Sequence, residues 1–482
     1  MTEFGYRMSD SKYSKLLKNS AVFLIGNFGS KIISFLIVPF YTYCLTAAEY
    51  GEADLVSTTV NLVAPFVMIG MNEAVLRYSV SKEADYAAIA SSSLFTLVLG
   101  CMASFLLFPL LSQFSVIGDN IALFFALLLL TCFNGVFLQF LRGIGNTRAF
   151  AANGVIVTFT MAVSNVLALA VFHLGVGGYL FSLVVSQMIG SVHIIISARL
   201  WRYISLHKLN LSVLGSMLSY CVPLIPNALM WWMMSASNRY VILYNLGSSA
   251  NGIFNVAQKI PSIVNIIYSI FLQAWQISAI EEHGEEDNAK FQTTVFKYMF
   301  ALLAVISSLI AATAYPVNSF LMSASYENSW KPMAVLALAN LFSCLSSFFG
   351  TSYVVSKRTK RAFSTTASGA VINVALTILL VPLLGVMGAA VAMSISYGVI
   401  ASIRAKDMRK SVEIKYDKKR IAMCLVLVVV QALLPLAPIG CFACTVLSCS
   451  LLVLLLIVLR DDLSGIIRIA VSIVSRRKNG LL

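Results

Sequence analysis

Of 482 residues, 59% are hydrophobic and 11% charged, with a mean hydropathy of +0.86. A soluble domain carries roughly 25% charged residues, and a soluble chain of this size could not hide so much apolar surface in its cores. The composition therefore excludes a soluble enzyme and a nucleic-acid-binding protein, and the net charge of +14 needs another origin.

Spanning the hydrocarbon takes about 20 mainly apolar residues per helix. Such runs occur near 19–45, 51–76, 86–111, 120–141, 150–172, 178–198 and 214–245. They continue near 249–276, 291–315, 332–355, 362–382, 386–403, 421–437 and 441–459, giving fourteen expected spans joined by short loops. The polar, basic N-terminus is followed by no small-residue cleavage site, so it reads as a cytosolic tail on the first span rather than a signal peptide. With that tail inside, thirty of the 34 Lys and Arg residues fall on the cytoplasmic side, as the positive-inside rule requires. Lys331 falls in an outer loop, and Lys31, Arg239 and Lys259 lie within spans. The charge is thus topological, and both termini are expected in the cytoplasm of a multi-pass membrane protein.

The chain repeats itself. Leu45-TAAEY-Gly51 recurs as Leu246-GSSAN-Gly252, 201 residues on, and Arg148-Ala149-Phe150 recurs as Arg361-Ala362-Phe363. Leu174-Gly175-Val176-Gly177-Gly178 is matched by Leu384-Gly385-Val386-Met387-Gly388, and Ser186 by Ser396, at an offset of 210. Six spans per repeat insert both copies in the same orientation, predicting parallel repeats about an axis along the membrane normal. The expected all-α architecture is an N-lobe (1–213), a C-lobe (214–416) and two appended helices with a tail (417–482).

Ionisable residues inside a membrane are expensive and face protein or water. Span 1 carries Asn27, Lys31 and Ser34 on one side, and Lys31 lies about 21 Å from the outer end by helical rise, too deep for simple snorkelling. Span 2 carries Asp54, Ser57, Asn61, Pro65, Met68 and Asn72 along one stripe, flanked by Glu52 and Glu73. Span 7 holds Pro223, Pro226, Asn227, Asn238 and Arg239; its prolines should kink it. Span 8 repeats Gly252, Asn255, Lys259, Ser262, Asn265, Ser269, Gln273 and Gln276 every three or four residues. These are the first helix pairs of each repeat. Small polar residues also glue helices together, the reading preferred for isolated Ser164 or Asn373. Three cations on combined stripes point instead to a water-accessible cavity for an anionic substrate, because Arg binds phosphate bidentately. Pairing of Lys31 or Lys259 with Asp54 is the structural alternative. Glu52, Asp54 and Glu73 are candidates for a coupling ion.

Other features carry less. Cys101, Cys132, Cys344 and Cys424 sit in apolar runs and give no disulfide framework, and the Cys441–Cys444 pair lacks metal-ligand company. His173, His193, His207 and His283 form no ligand cluster, so no metal or cofactor is expected. The acidic stretch 281–287 reads as a hydrated turn, and the basic run 404–420 as an anchor to anionic head groups.

The stretch KNSAVFLIGNFGSKIISFLIVPFYTYCLTAAEYGEADL and the later YCVPLIPNALMWWMMSASNRYVILYNLGSSANGIFNVAQKI resemble bacterial polysaccharide (O-antigen, Wzx-type) flippases. These belong to the multidrug/oligosaccharidyl-lipid/polysaccharide exporter superfamily. The resemblance spans the first twelve helices. It implies a V-shaped, two-lobe transporter that moves an undecaprenyl-diphosphate-linked oligosaccharide across a bacterial inner membrane for lipopolysaccharide assembly. It also implies a protein that is not an enzyme and works as a monomer beside polymerase and assembly partners. The family's cationic cavity would be carried by Lys31, Arg239 and Lys259. Such sequences often read Ser-Asp-Arg where this chain has Ser237-Asn238-Arg239; if that Asp neutralises the Arg in relatives, either Arg239 is freer here to meet a phosphate or coupling differs. Rival readings are a peptidoglycan-precursor flippase, a cation-coupled drug exporter and a membrane glycan polymerase or ligase. A drug exporter wants deep acidic residues, and a polymerase wants a large outer loop with an acid/base cluster; the sequence suggests neither.

Overall fold

The computed structural model describes residue 33 and residues 37–80, 84–113, 115–222, 225–281, 288–356, 358–409 and 417–478. It is 91% helical, with no strand among the described residues. The chain divides into two compact units, one ending at Gly252 and the other resuming at Ile253.

The first unit opens with α1 (37–44) and α2 (Ala47–Met68). Thr46 caps α2 in a reciprocal box: its side chain accepts from Glu49 N–H, and the Glu49 carboxylate accepts from Thr46 N–H at 2.8 Å. This is the physical content of the Leu45–Gly51 motif, whose Leu45 and Tyr50 are buried. Pro65 lies inside α2, and the chain bends by 54° at Ile69–Gly70 into α3 (Met71–Ser79). Then follow α4 (Tyr86–Ser104), α5 (Ile121–Gly143), α6 (Thr147–Asn165), α7 (Gly175–Ala198) and α8 (Leu211–Cys221). Val60, Val67 and Met71 pack with Phe124, Phe137 and Phe140 in the core of this unit. Asn134 on α5 donates to Gln187 O at 2.8 Å and Ser191 Oγ at 2.7 Å on α7. His193 joins the same seam through Asn153 at 3.1 Å, so these polar residues do hold helices together.

Helix α9 (Ile225–Lys259) crosses the unit boundary. Gly247 interrupts it with φ 84° and ψ 178°, a conformation open to glycine alone. Ile260 and Pro261 break the helix again before α10 (Ser262–Glu281).

The second unit continues with α11 (Asn288–Leu321), α12 (Trp330–Val355), α13 (Thr359–Leu384), α14 (Val386–Met408), α15 (Lys418–Leu433) and α16 (Cys441–Lys478). Trp275 stacks on Phe348 at 4.9 Å in its core. Gly385, between α13 and α14, has φ +61°, and Gly175, its motif counterpart before α7, has φ +56°. The glycines three residues on are also matched. A β-carbon would lie 2.7 Å from Leu174 Cβ at Gly178 and 2.2 Å from Leu380 O at Gly388. Both motif copies therefore need glycine twice, once for backbone sign and once for close approach.

Ten helices among the described residues are long and apolar enough to cross a membrane, or eleven with the bent α2–α3 pair. The ten coincide with expected spans 3–6 and 9–14, and the bent pair with span 2. The chain is thus an all-α, multi-pass membrane protein. Span 7 is occupied by α8 and the first part of α9, and span 8 by the end of α9 and α10; most of span 1 lies outside the described residues. One expectation is corrected by the helix boundaries. Arg404 is no loop residue but a buried member of α14, 5% exposed, donating to Thr365, Thr366 and the carbonyls of Ser346 and Ala362.

Helices α15 and α16 are fastened by Gln431. Its amide donates to Ser308 O at 3.0 Å on α11 and Ser448 O at 2.9 Å on α16, and its oxygen accepts from Ser308 Oγ at 2.7 Å. Both polar atoms of that side chain are used, away from water. Substituting Gln431→Leu strands the Ser308 hydroxyl, and we expect about 1–3 kcal/mol of destabilisation, read as a lower melting temperature of the detergent-solubilised protein.

Candidate functional site

The site grows from α2 and the stretch of α9 within the first unit, which run antiparallel. Asp54 lies about 10 Å along α2 from Ala47 by helical rise. Its Oδ2 accepts from Arg239 Nε at 2.6 Å, with the side chains 11% and 16% exposed. Five residues further along α2, Thr59 Oγ1 meets Tyr240 OH at 2.7 Å, and Trp232 packs beside Tyr240 at 5.6 Å between ring centres. A charge in this setting requires a partner. Asp54 pairs with Arg239, whereas spacing along the spans had offered it Lys31 or Lys259. Asn in place of Asp at 238 therefore does not free Arg239; the counter-charge comes from α2 instead, and Asn238 itself is fully buried.

Nearer the start of α2 the two segments touch backbone to backbone. A β-carbon on Gly51 would lie 2.0 Å from Ser248 O, and one on Gly252 would lie 1.9 Å from Ala47 O. Asn251 Nδ2 donates to Gly51 O at 2.9 Å. Ala47 and Ser248, like Gly51 and Gly252, are 201 residues apart. The contact therefore maps onto itself when each residue is exchanged for its motif counterpart. The sequence motif held both glycines, but nothing in their spacing said that they meet.

The other expected residues distribute as follows. Glu52 is half-buried beside this crossing, Asn61 is exposed, and Asn72 is half-buried and donates to exposed Glu73 at 3.4 Å. Asn255 is buried and Lys259 half-buried, at the end of α9 in the second unit. There Asn265 is spent on a helix contact, donating to Asn340 Oδ1 at 2.8 Å. Asn227 lies in α9 and Gln273 in α10; their side chains, with Asn27 and Lys31, lie outside the described residues. The structure thus brings Asp54 and Arg239 into direct contact and spreads the others along α2, α3, α9 and α10. No group of three metal-ligating side chains occurs among the described residues.

Interrupted helices carrying buried polar groups at corresponding places in two halves are the usual pointer to a transport site. In this chain span 2 breaks at Ile69–Gly70 and span 8 at Ile260–Pro261. The fold and this site define a multi-pass helical membrane protein whose spans are interrupted beside buried polar groups. The structure of the lipid II flippase MurJ in an inward closed conformation matches with a TM-score of 0.67 and 13% identity, covering 92% of this chain and 99% of that one. An inward-facing multidrug resistance MATE family transporter of the MOP superfamily matches at 0.66 and 15%, covering 85% and 98%. A MOP superfamily transporter from Pyrococcus furiosus, described by the reversed polarity of its binding pocket, matches at 0.60 and 16%, covering 85% and 96%. The profile of the family of polysaccharide biosynthesis proteins matches residues 16–276, more than half of the chain. The chain belongs to that family. No curated protein matches it in sequence.

Two sets of substitutions test the site's construction. Gly252→Val should be lost from the membrane, whereas Gly154→Val, where nothing lies within 4 Å of the new β-carbon, should accumulate normally; quantitative immunoblots of membranes read both. Asp54→Asn alone leaves a buried cation without its carboxylate and should destabilise by roughly 3–5 kcal/mol. The neutral pair Asp54→Asn with Arg239→Gln should recover most of that loss in a melting experiment.

Proposed function

We propose that the protein is a flippase that moves an undecaprenyl-diphosphate-linked oligosaccharide, of the O-antigen kind used for lipopolysaccharide, from the cytoplasmic to the periplasmic leaflet of a bacterial inner membrane. The reading takes the chain as fourteen spans with both termini cytoplasmic. Two parallel six-helix repeats, 1–213 and 214–416, are followed by the appended segment 417–482. The self-mapping contact of Ala47, Gly51, Ser248 and Gly252 supports the repeat, and membership in the polysaccharide biosynthesis family supports the cargo.

The observation that carries the mechanism is the Asp54–Arg239 pair. A guanidinium held by a carboxylate in a low-dielectric interior can exchange that partner for a diphosphate, which offers more charge and bidentate geometry. Lys31 and Lys259 add positive charge along the path, and the amides of Asn27, Asn61, Asn72, Asn227, Asn238, Asn255 and Gln273 offer hydrogen bonds to sugar hydroxyls. Once displaced, Asp54 takes a coupling cation, with Glu52 and Glu73 as the other acidic candidates. Release of the diphosphate on the far side restores the pair and resets the cycle. Each step is reversible, and the exchange makes substrate and coupling ion occupy linked sites.

The combined variant Lys31→Gln, Asp54→Asn, Arg239→Gln and Lys259→Gln should reach normal membrane levels yet leave cells without the surface polysaccharide, read on gels of cell-surface glycan. Normal glycan with that variant would refute the charge mechanism. A deletion strain should remain viable; loss of viability would instead favour a peptidoglycan-precursor flippase.

A further inference from the structure

In the second unit, the starts of α11 and α15 and the middle of α16 line a cavity of about 230 Å³. One side of it carries Lys297, Arg420, Asp417 and Asp462, and the rest of its lining is largely apolar, including Phe300 and Ile421. Asp462 is 4% exposed and takes two cations at once, Lys297 Nζ at 2.8 Å and Arg420 Nη2 at 3.3 Å. Within the lining Asp417 and Asp462 balance the two cations, and the positive excess at this level comes from the adjacent exposed Lys418, Lys419 and Arg460. Arg420 also donates to the Val458 carbonyl, which orients the guanidinium without neutralising it. The Asp417 carboxylate caps α15 through one oxygen, accepting from the N–H groups of Lys419 and Arg420, and keeps its charge. Asp461, 3.9 Å from Arg420 and 72% exposed, lies in water and compensates little.

The depth of the cavity identifies its environment. Asp462 lies about 30 Å along α16 from Cys441 by helical rise, close to the thickness of the hydrocarbon layer. Lys418, where α15 begins, stands at the same level. The cavity therefore opens where lipid phosphates lie, with apolar lining for the first part of the acyl chains. Basic pockets between helices at this depth recognise anionic head groups. At about 230 Å³ it falls below the ~300–1,000 Å³ of pockets that enclose drug-sized ligands, so a headgroup phosphate fits and an oligosaccharide does not.

We propose that this cavity seats the phosphate of an anionic membrane phospholipid, held by Lys297 and Arg420, at the basic-loop side of the membrane. The proposal stands apart from the transport reading and would survive its failure. The intact, delipidated protein in detergent is titrated with phosphatidylglycerol, phosphatidylcholine and inorganic phosphate, reading the melting temperature and, by native mass spectrometry, the lipids retained. Phosphatidylglycerol should stabilise the protein and remain bound. Lys297→Gln, which leaves Asp462 its Arg420 partner, should raise its half-saturating concentration roughly tenfold, the loss of one charge-assisted contact. Ile421→Trp fills the cavity with all charges intact and should abolish retention. An unchanged response in Lys297→Gln overturns the proposal. So does an equal response to phosphatidylcholine, and so does an equal response to inorganic phosphate, which would mark a soluble-anion site instead.

Discussion

No water is available inside the hydrocarbon to satisfy a stray polar group, and this constraint orders the whole molecule. It is why Gln431 spends both polar atoms on Ser308 and Ser448, and why Asn134 binds two partners on α7. The same demand brings Asp54 to Arg239. What separates structural seams from the candidate site is charge. The amide and hydroxyl seams have no reason to exchange partners, whereas an ion pair can trade one anion for another without leaving the cation bare.

The fold was largely legible because hydrocarbon thickness leaves a blunt signal. Ten of the expected spans return as helices over the predicted stretches. The Gly175 and Gly385 turns were visible because a positive φ and a tight helix approach both select glycine, twice over. The helix carrying Arg404 was misjudged because basic residues near a span end are usually in loops. Its acceptors, Thr365 and Thr366 on α13 and the Ser346 carbonyl on α12, come from segments that periodicity cannot bring together.

The site was legible in its ingredients and not in its pairing. Spacing put Asp54 and Arg239 on polar stripes but offered Asp54 only Lys31 or Lys259 as partners. Only the antiparallel run of α2 along α9 selects Arg239, and Thr59–Tyr240 fixes that register one step further on. The crossing at Gly51 and Gly252 sets where the run begins. Because residues 201 apart exchange places across it, a change in angle there would act alike on both segments.

Arg404 also bears on how the protein assembles. It lies four residues before the end of α14 at Met408, close enough for a newly inserted helix to leave its guanidinium among the head groups. Its acceptors come from α12 and α13, which touch each other little and each pack closely on α14. Both precede α14 in the chain, and it is α14 that brings their acceptors together around the guanidinium. Docking then draws the charge inward, and the last turn of α14 acts as a latch that closes only once both neighbours are in place.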